Sequence, residues 1–342
     1  MMAESMNVLI YEHLCAGGVF EGGGASALLD EGAAMLKAAL SDFGAVTEGR
    51  GWHVFGIADQ SLAERFTDFS EIKQVVGDTG ANFKNALIGC DGALLIAPET
   101  GGVLQKLTES LVSMGKINLG SGQSAVAMTG DKPAFASLME RVGIPHPSTF
   151  IIADGFNPGA VFGKKWVSKP VDGAGSEGVS IHPVGDNFRF VAGAGMLAQE
   201  YTEGEAMSLC VVSGEKESMI LSVNRQMFDI GPGPGPGLRY AGGVITSAEP
   251  CVELIKIVDK IKLAIPGLRG FWGLDYIQTG SGPVVIEVNP RLTSSYCALV
   301  EALNVNPAGI ILDSALDKAL PDSFDRKEIE FTQNSARTCE KY

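Results

Sequence analysis

A chain of 342 residues, 45% of them hydrophobic, is long enough for two or three compact lobes around substantial cores. Forty acidic against 26 basic residues give a formal charge of −14, which disfavours nucleic acid and anionic membrane as partners yet leaves room for a local basic pocket. No apolar stretch is long enough to span a bilayer, no leader pattern opens the chain, and the six cysteines (Cys15, Cys90, Cys210, Cys251, Cys297, Cys339) lack zinc or redox spacing, so a cytoplasmic protein with reduced thiols is expected.

Met6 to Tyr11 reads as a buried first strand, followed by a glycine-rich turn from Ala16 to Gly24 and a helix from about Ser26 to Asp42. Ala93 to Ala97 reads as another buried strand, ending in Pro98-Glu99-Thr100-Gly101-Gly102. Strands alternating with helices imply an open α/β sheet, which binds ligands at the carboxyl ends of its strands. Near Ser121 the pattern changes: a short helix at Ser124 to Met128 and a second one ending before Gly143 precede a strand-rich region. Strands are expected at 149–152, 165–169, 178–182, 197–201, 207–212 and 218–224, with antiparallel hairpins between them and a helix over Val252 to Ala264. Gly231-Pro232-Gly233-Pro234-Gly235-Pro236-Gly237 can hold neither a helix nor an interior strand and reads as a loop, either a lid or a plain connector.

Two segments carry chemistry. In Lys169-Pro170-Val171-Asp172-Gly173-Ala174-Gly175-Ser176-Glu177-Gly178 the glycines fit a dinucleotide-binding spacing, but a strand rather than a helix follows. A glycine loop between two strands suits backbone N–H contacts to nucleotide phosphates, with Gly173, Gly175, Ser176 and Gly178 in the loop and Lys169 adding positive charge; a flexible hairpin loop is the plain alternative. In the second segment, Asp275 and Glu287 lie six positions either side of Ser281, so a hairpin centred there opposes two carboxylates, with Asn289 on the same face. Facing carboxylates repel unless a cation joins them, and an Asp, Glu and Asn oxygen set suits Mg²⁺, with Mn²⁺ as an alternative. Arg291 shares that side if the strand runs on past Pro290, and it and Arg225 each read equally as a holder of a carboxylate or phosphate or as an ordinary surface arginine.

In this order the pieces resemble the ATP-grasp superfamily over about Ser121 to Tyr296, after a lobe that looks like the domain preceding the grasp. The resemblance implies an N-terminal open α/β pre-ATP-grasp domain (1–120) and a two-lobed α+β grasp: a small lobe (121–198) with the glycine-rich loop, a large lobe (199–330) with the metal site, and a tail (331–342). It implies ATP and magnesium as cofactors, Lys132 and Lys169 on the phosphates, Gln199, Glu200 and Tyr201 at the adenine, Glu205 at the ribose, and Asp275, Glu287 and Asn289 on the metal. D-alanine–D-alanine ligases of this superfamily carry an arginine just before the first metal acid, where this chain has Phe271-Trp272-Gly273-Leu274. Oxyanion stabilisation then falls to Arg291, Arg225 or backbone donors.

The Tyr11-Glu12-His13 strand end, Gly17-Gly18, Glu31-Gly32 with Met35, and Ala97 to Thr100 look similar to the tyramine–glutamate ligase group of methanofuran and methylofuran biosynthesis. That likeness implies a small-molecule carboxylate and an amine as partners, glutamate and tyramine or tyrosine among them, joined through an acyl phosphate. A homodimer is compatible with it. Glu12, His13, Gly17, Gly18 and Glu99 are candidate substrate contacts in the first lobe, and Arg239 and Tyr240 beside the Gly/Pro loop are candidates in the second. Another ATP-grasp ligase of amino acids or peptides, an ATP-grasp kinase or carboxylase, and a non-catalytic ATP-binding regulator are the rival readings.

Overall fold

The computed structural model describes residues 5–19, 25–153, 163–173, 178–184, 195–231 and 237–332. Gly175 and Ser176, Pro232 to Pro236 of the Gly/Pro loop, Phe20 to Gly24 of the first turn and the chain from 333 on therefore lie outside the described residues.

The first domain is built from β1 (Asn7–Glu12), α1 (Ala25–Thr47), β2 (His53–Asp59), β3 (Ile72–Val75), α2 (Thr79–Ile88), β4 (Gly92–Ile96), α3 (Val103–Ser113) and β5 (Ile117–Asn118). Its five strands run parallel in the order β3-β2-β1-β4-β5, and the near-continuous buried runs of the inner strands β2, β1 and β4 suit a sheet covered on both faces. Alternation splits β1 between two cores: Val8 and Ile10 pack with α1, whereas Leu9 and Tyr11 pack with residues of α2 and α3. The α1 helix runs five residues beyond the expected Asp42, because Phe43 continues its buried stripe and the Thr47 hydroxyl donates back to the Phe43 carbonyl at 2.8 Å.

Next come α4 (Gln123–Gly130), α5 (Lys132–Val142), β6 (Thr149–Ile151), β7 (Trp166–Pro170), β8 (Ser180–His182), β9 (Met196–Glu200), β10 (Glu205–Ser213), β11 (Ser218–Gly231) and β12 (Gly237–Ile245). The chain continues through α6 (Val252–Ala264), β13 (Gly270–Thr279), β14 (Gly282–Asn289), α7 (Tyr296–Ala302), α8 (Pro307–Ala315) and β15 (Ile329–Thr332). The strands join in the order β14-β13-β10-β11-β12-β8-β7-β9-β6, and β15 adds to β12. A single pair, Gly237 with Ser180, links the large-lobe strands to the small-lobe ones among the described residues.

The boundary expected at 198 falls inside β9, which pairs with β7 and β6, so the small-lobe sheet extends to Glu200. The boundary expected at 330 cuts β15, whose Thr332 still pairs with Gly242. That pairing depends on glycine, since a Cβ on Gly242 would sit 2.2 Å from the Phe331 carbonyl oxygen. β11 outruns its expected end at Asn224 by seven residues, up to the first glycine of the Gly/Pro loop.

One face of the large sheet packs on α4, α5 and α6 through Leu209, Val211, Leu274 and Ile261. From its other face, Cys210 and Val212 join Leu299, Ile311, Leu36 and Ile10 in one core, so α1 of the first domain is packed into the large lobe. Sharp local signals set the short helices. Asp131 caps α5 by accepting from the Ala134 N–H at 2.9 Å, and Gly143 ends it with φ of +66°. No helix among the described residues is long and apolar enough to cross a membrane.

Candidate active site

A cavity of about 370 Å³ opens between the small-lobe and large-lobe strands. Strand alternation selects its lining. Val167 pairs with both Ile181 and Gln199, so these three, with Lys169 two residues along β7, project onto one face and into the cavity. The connection after β9 adds Tyr201, Thr202 and Gly204, beside Glu200 at the strand's end. The Gln199 amide donates to Thr149 at 2.8 Å, Glu200 pairs with Lys164, and Lys165 lies 5.3 Å from the centre of the Tyr201 ring.

Lys132, in the first turn of α5, donates to the Gly173 carbonyl at 2.7 Å and ties the root of the glycine loop to the helix. Lys169 is 6% exposed, and burial lowers its pKa to about 8, with Lys132 adding to that fall while Glu287 and Asp275 oppose it. Gly178 has φ of +71° and packs on Pro170, outside the cavity lining, so it shapes the returning chain.

The carboxylates meet as expected, though by a different route. The β13–β14 turn is Gly280-Ser281, between the paired Thr279 and Gly282, and is not centred on Ser281. Regular pairing from that turn would set Asp275 against Ile286. A bulge between Asp275 and Tyr276 leaves Ile286 as the extra residue and brings Asp275 opposite Glu287 and Gly273 opposite Asn289. Asn289 Nδ2 donates to Asp275 Oδ2 at 3.1 Å, and Gln226 Nε2 donates to Oδ1 at 3.0 Å. Burial first, then Glu287, raises the Asp275 pKa despite these two bonds. A carboxyl in that position is short of positive charge. With the Asn289 amide nitrogen turned to Asp275, its oxygen remains for a cation, so the donor set fits a hard metal ion.

Arg291 continues past β14 to the cavity wall and is held by Glu99 from the first domain, Nε to Oε1 at 3.1 Å, with both side chains only 12–13% exposed. Burial works against its charge, but Glu99 and Glu31 outweigh that and raise its pKa. Glu99 is thereby engaged by an arginine, a correction to its expected role as an ammonium contact.

Six other expected contacts lie away from the cavities and need correction. Ser208 pairs with Asn224 and with Asp275 on the cavity face, whereas Met207 pairs with Arg225 and Tyr276 on the opposite face. Glu205 and Arg225 belong to that opposite face, where they form an ion pair at 3.1 Å with roughly half of each side chain exposed (55% and 50%). Neither lines the cavity. Arg239 is exposed, while its neighbour Tyr240 alternates inward and meets Phe228 edge to face with ring centres 5.8 Å apart. His13, Gly17 and Gly18 line neither this cavity nor a second, smaller one in the first domain. They form a tight turn in which Gly17 has φ of +89° and a Cβ on Gly18 would strike the His13 ring.

That second cavity, of about 50 Å³, lies at the carboxyl ends of β1 and β4, lined by Glu12, Leu28, Glu31, Met35, Ile96 and Arg291 among others. This is the switch point of the parallel sheet, as expected of an open α/β fold. Glu12 is fully enclosed; its Oε2 accepts from the Cys15 N–H at 2.6 Å, and burial raises its pKa. Gln226, Phe228 and Ser294 also line the large cavity, and so does Glu31, although motif reading assigned none of them a role there. Gln226 had a signal, lying two residues beyond Asn224 on one strand. Glu31 entered only through the Glu31-Gly32 likeness, and its contact with Ser294, 263 residues away, had no local signal.

Residues 129–295 match the model of the ATP-grasp domain, and residues 53–126 match that of the pre-ATP-grasp domain. The tyramine–L-glutamate ligase of Methanocaldococcus fervens is 28% identical over 96% of this chain and 99% of its own length. Its counterpart in Methanocaldococcus jannaschii is 27% identical over 95% and 94%. Among solved structures, N5-carboxyaminoimidazole synthetase from Staphylococcus aureus complexed with ADP superposes with a TM-score of 0.70 at 13% identity, over 95% of this chain and 82% of that one. The L-amino acid ligase of Bacillus licheniformis gives 0.62 at 14%, over 92% and 75%. With both domain models matched in order and the cavity between its lobes, the chain belongs to the ATP-grasp superfamily, among the ligases that form carbon–nitrogen bonds.

Proposed function

We propose that this protein is an ATP- and Mg²⁺-dependent carboxylate–amine ligase that joins glutamate to tyramine, or to a closely similar amine, through an acyl phosphate. The observation that carries the reading is the bulge that sets Asp275 against Glu287 in the same cavity as Lys132 and Lys169. Two curated relatives named for this reaction match the chain almost end to end and support the choice of substrates.

A magnesium ion held by Asp275, Glu287 and Asn289 would neutralise phosphate charge as the γ-phosphoryl group passes to the substrate carboxylate. The chain's own groups do the rest. Lys132 and Lys169 hold the nucleotide phosphates, and Gln199 to Tyr201 border the space for the base. Glu99 fixes Arg291 so that the guanidinium faces the reacting carboxyl and stabilises the oxyanion that forms when the amine attacks. Positioning and charge suffice for this chemistry, so no side-chain nucleophile is required.

The test is incubation of the purified protein with ATP, Mg²⁺, glutamate and tyramine, following phosphate release and the mass of the condensation product. Amide formation that requires both substrates is expected. Phosphate release that ignores the amine, or no product from any amino acid and amine pair, would overturn the reading.

A further inference from the structure

We infer that Gln226 is a positioning residue for the cation site: its amide reaches across β10 to hold the Asp275 carboxylate in one orientation beside Glu287 and Asn289. The inference rests on the ligase reading above and names the group that makes its metal site rigid. Gln226 lies on β11 and Asp275 on β13, and β10 runs between them. Neighbouring strands stand about 4.8 Å apart, so the two backbones are separated by about 10 Å. A glutamine bridges such a gap only over short side chains. The residues that β10 turns to the cavity here are Ala206 and Ser208, and Ser208 is the direct cross-strand partner of Asp275. On its other flank Gln226 pairs with Gly243 of β12, which has no side chain to compete for the amide. The Gln226 Nε2 donates to Asp275 Oδ1 at 3.0 Å.

Two amides therefore hold the two oxygens of one carboxylate, Gln226 at Oδ1 and Asn289 at Oδ2, the second at 3.1 Å. Held at both ends, the carboxylate cannot turn about its Cβ–Cγ bond without giving up a hydrogen bond to a charged group. The Gln226 amide does this without bringing a charge of its own, so it orients the acid and leaves its attraction for a cation in place. Arg291 adds a weaker attraction through space, since its own hydrogen bonds go to Glu99 and to the Leu292 carbonyl. Asn289 belongs to the same hairpin as the two acids, and its oxygen is part of the donor set. Gln226 comes from a strand outside that hairpin and ties it to the floor of the cavity.

Rigidity matters differently for different ions. Mg²⁺ demands near-octahedral oxygens at about 2.0–2.1 Å, whereas Ca²⁺ accepts longer and more variable sets. A carboxylate fixed by a hydrogen-bond partner favours the smaller ion, and removing such a partner typically weakens a metal site by about tenfold or more. Freed from Gln226, Asp275 should give up more of the Mg²⁺ site than of its capacity for Ca²⁺.

The test is calorimetric titration of ADP into the full chain in EDTA, in Mg²⁺ and in Ca²⁺, for the wild type and for Gln226→Met, which keeps the side chain's length and loses its amide. ADP affinity in EDTA is expected to stay within about twofold of the wild type. The gain in affinity that Mg²⁺ brings should shrink about tenfold, and the gain from Ca²⁺ by less than about threefold. An unchanged Mg²⁺ gain, or equal losses in EDTA, Mg²⁺ and Ca²⁺, overturns the assignment, the second outcome because a merely structural residue would behave so. Gln226→Asn keeps the amide but is one methylene too short to cross β10, so it should match Gln226→Met, and it answers the same question if Gln226→Met does not fold. Wild-type Mg²⁺ behaviour in Gln226→Asn overturns the crossing contact. Wild-type protein that binds ADP no better in Mg²⁺ than in EDTA would sink the cation site itself, and with it the ligase reading.

Discussion

Replacing Asp275 by asparagine should stabilise the metal-free protein while removing its activity. Two like charges about 5 Å apart repel by about 3 kcal/mol at an effective dielectric of about 20. Lys169 and Arg291 offset part of this, and the introduced amide would lose one of the two hydrogen bonds that Asp275 accepts from Gln226 and Asn289, at about 1 kcal/mol. The net gain expected is about 1 kcal/mol, or about 2–4 °C in Tm. The sign with pH follows from the raised pKa of Asp275. A carboxyl whose folded pKa exceeds its ordinary value of 3.8 contributes stability that is complete below that value and is lost as pH rises towards the folded pKa. The variant's advantage should therefore be small at pH 5 and larger at pH 8. Urea unfolding of both proteins at these two pH values, with EDTA and then with Mg²⁺ and ADP, reads all of it. The wild type should gain stability from Mg²⁺ and ADP and the variant much less. A variant less stable than the wild type at pH 8 in EDTA, or one equally stabilised by Mg²⁺ and ADP, would refute the shared-cation account of this hairpin.

Two further outcomes follow from the geometry. ADP affinity measured by calorimetry should weaken as pH rises through about 8, because Lys169 loses its charge there, and Lys169→Met should abolish that dependence while weakening ADP by at least about tenfold. A pH dependence that survives in Lys169→Met would assign it to another group. The double variant Glu205→Ala with Arg225→Ala should keep amide-forming activity within about twofold and lose no more than about 0.5 kcal/mol, since the pair is half exposed and turned away from the cavity. A large loss of activity would return Glu205 to the nucleotide site.

Local pattern determined a good deal of this protein. The apolar run of β1, the helical spacing of α6 and the end of α5 before Gly143 were each legible, because strand and helix faces repeat within a few residues and glycine ends a helix. Hairpin geometry brought Asp275, Glu287 and Asn289 into candidacy, the glycine loop Lys169 and the superfamily resemblance Gln199, and all five line one cavity. Alternation was also the missed signal at Glu205 and Arg225, where being one residue out of phase with Ser208 and Asn224 decides the face.

What no local pattern held was the tertiary contact. The bulge at Ile286 that opposes the two acids depends on how β13 settles between β10 and β14. Glu99 meets Arg291 across 192 residues, and Glu31 meets Ser294 across 263, because α1 shares a core with α7 and α8. That Asp275, Glu287 and Asn289 share one hairpin could be read from the chain alone, but the register that opposes them could not. Nor could the contacts of Glu99 with Arg291 and of Glu31 with Ser294, since packing between domains has no period along a sequence.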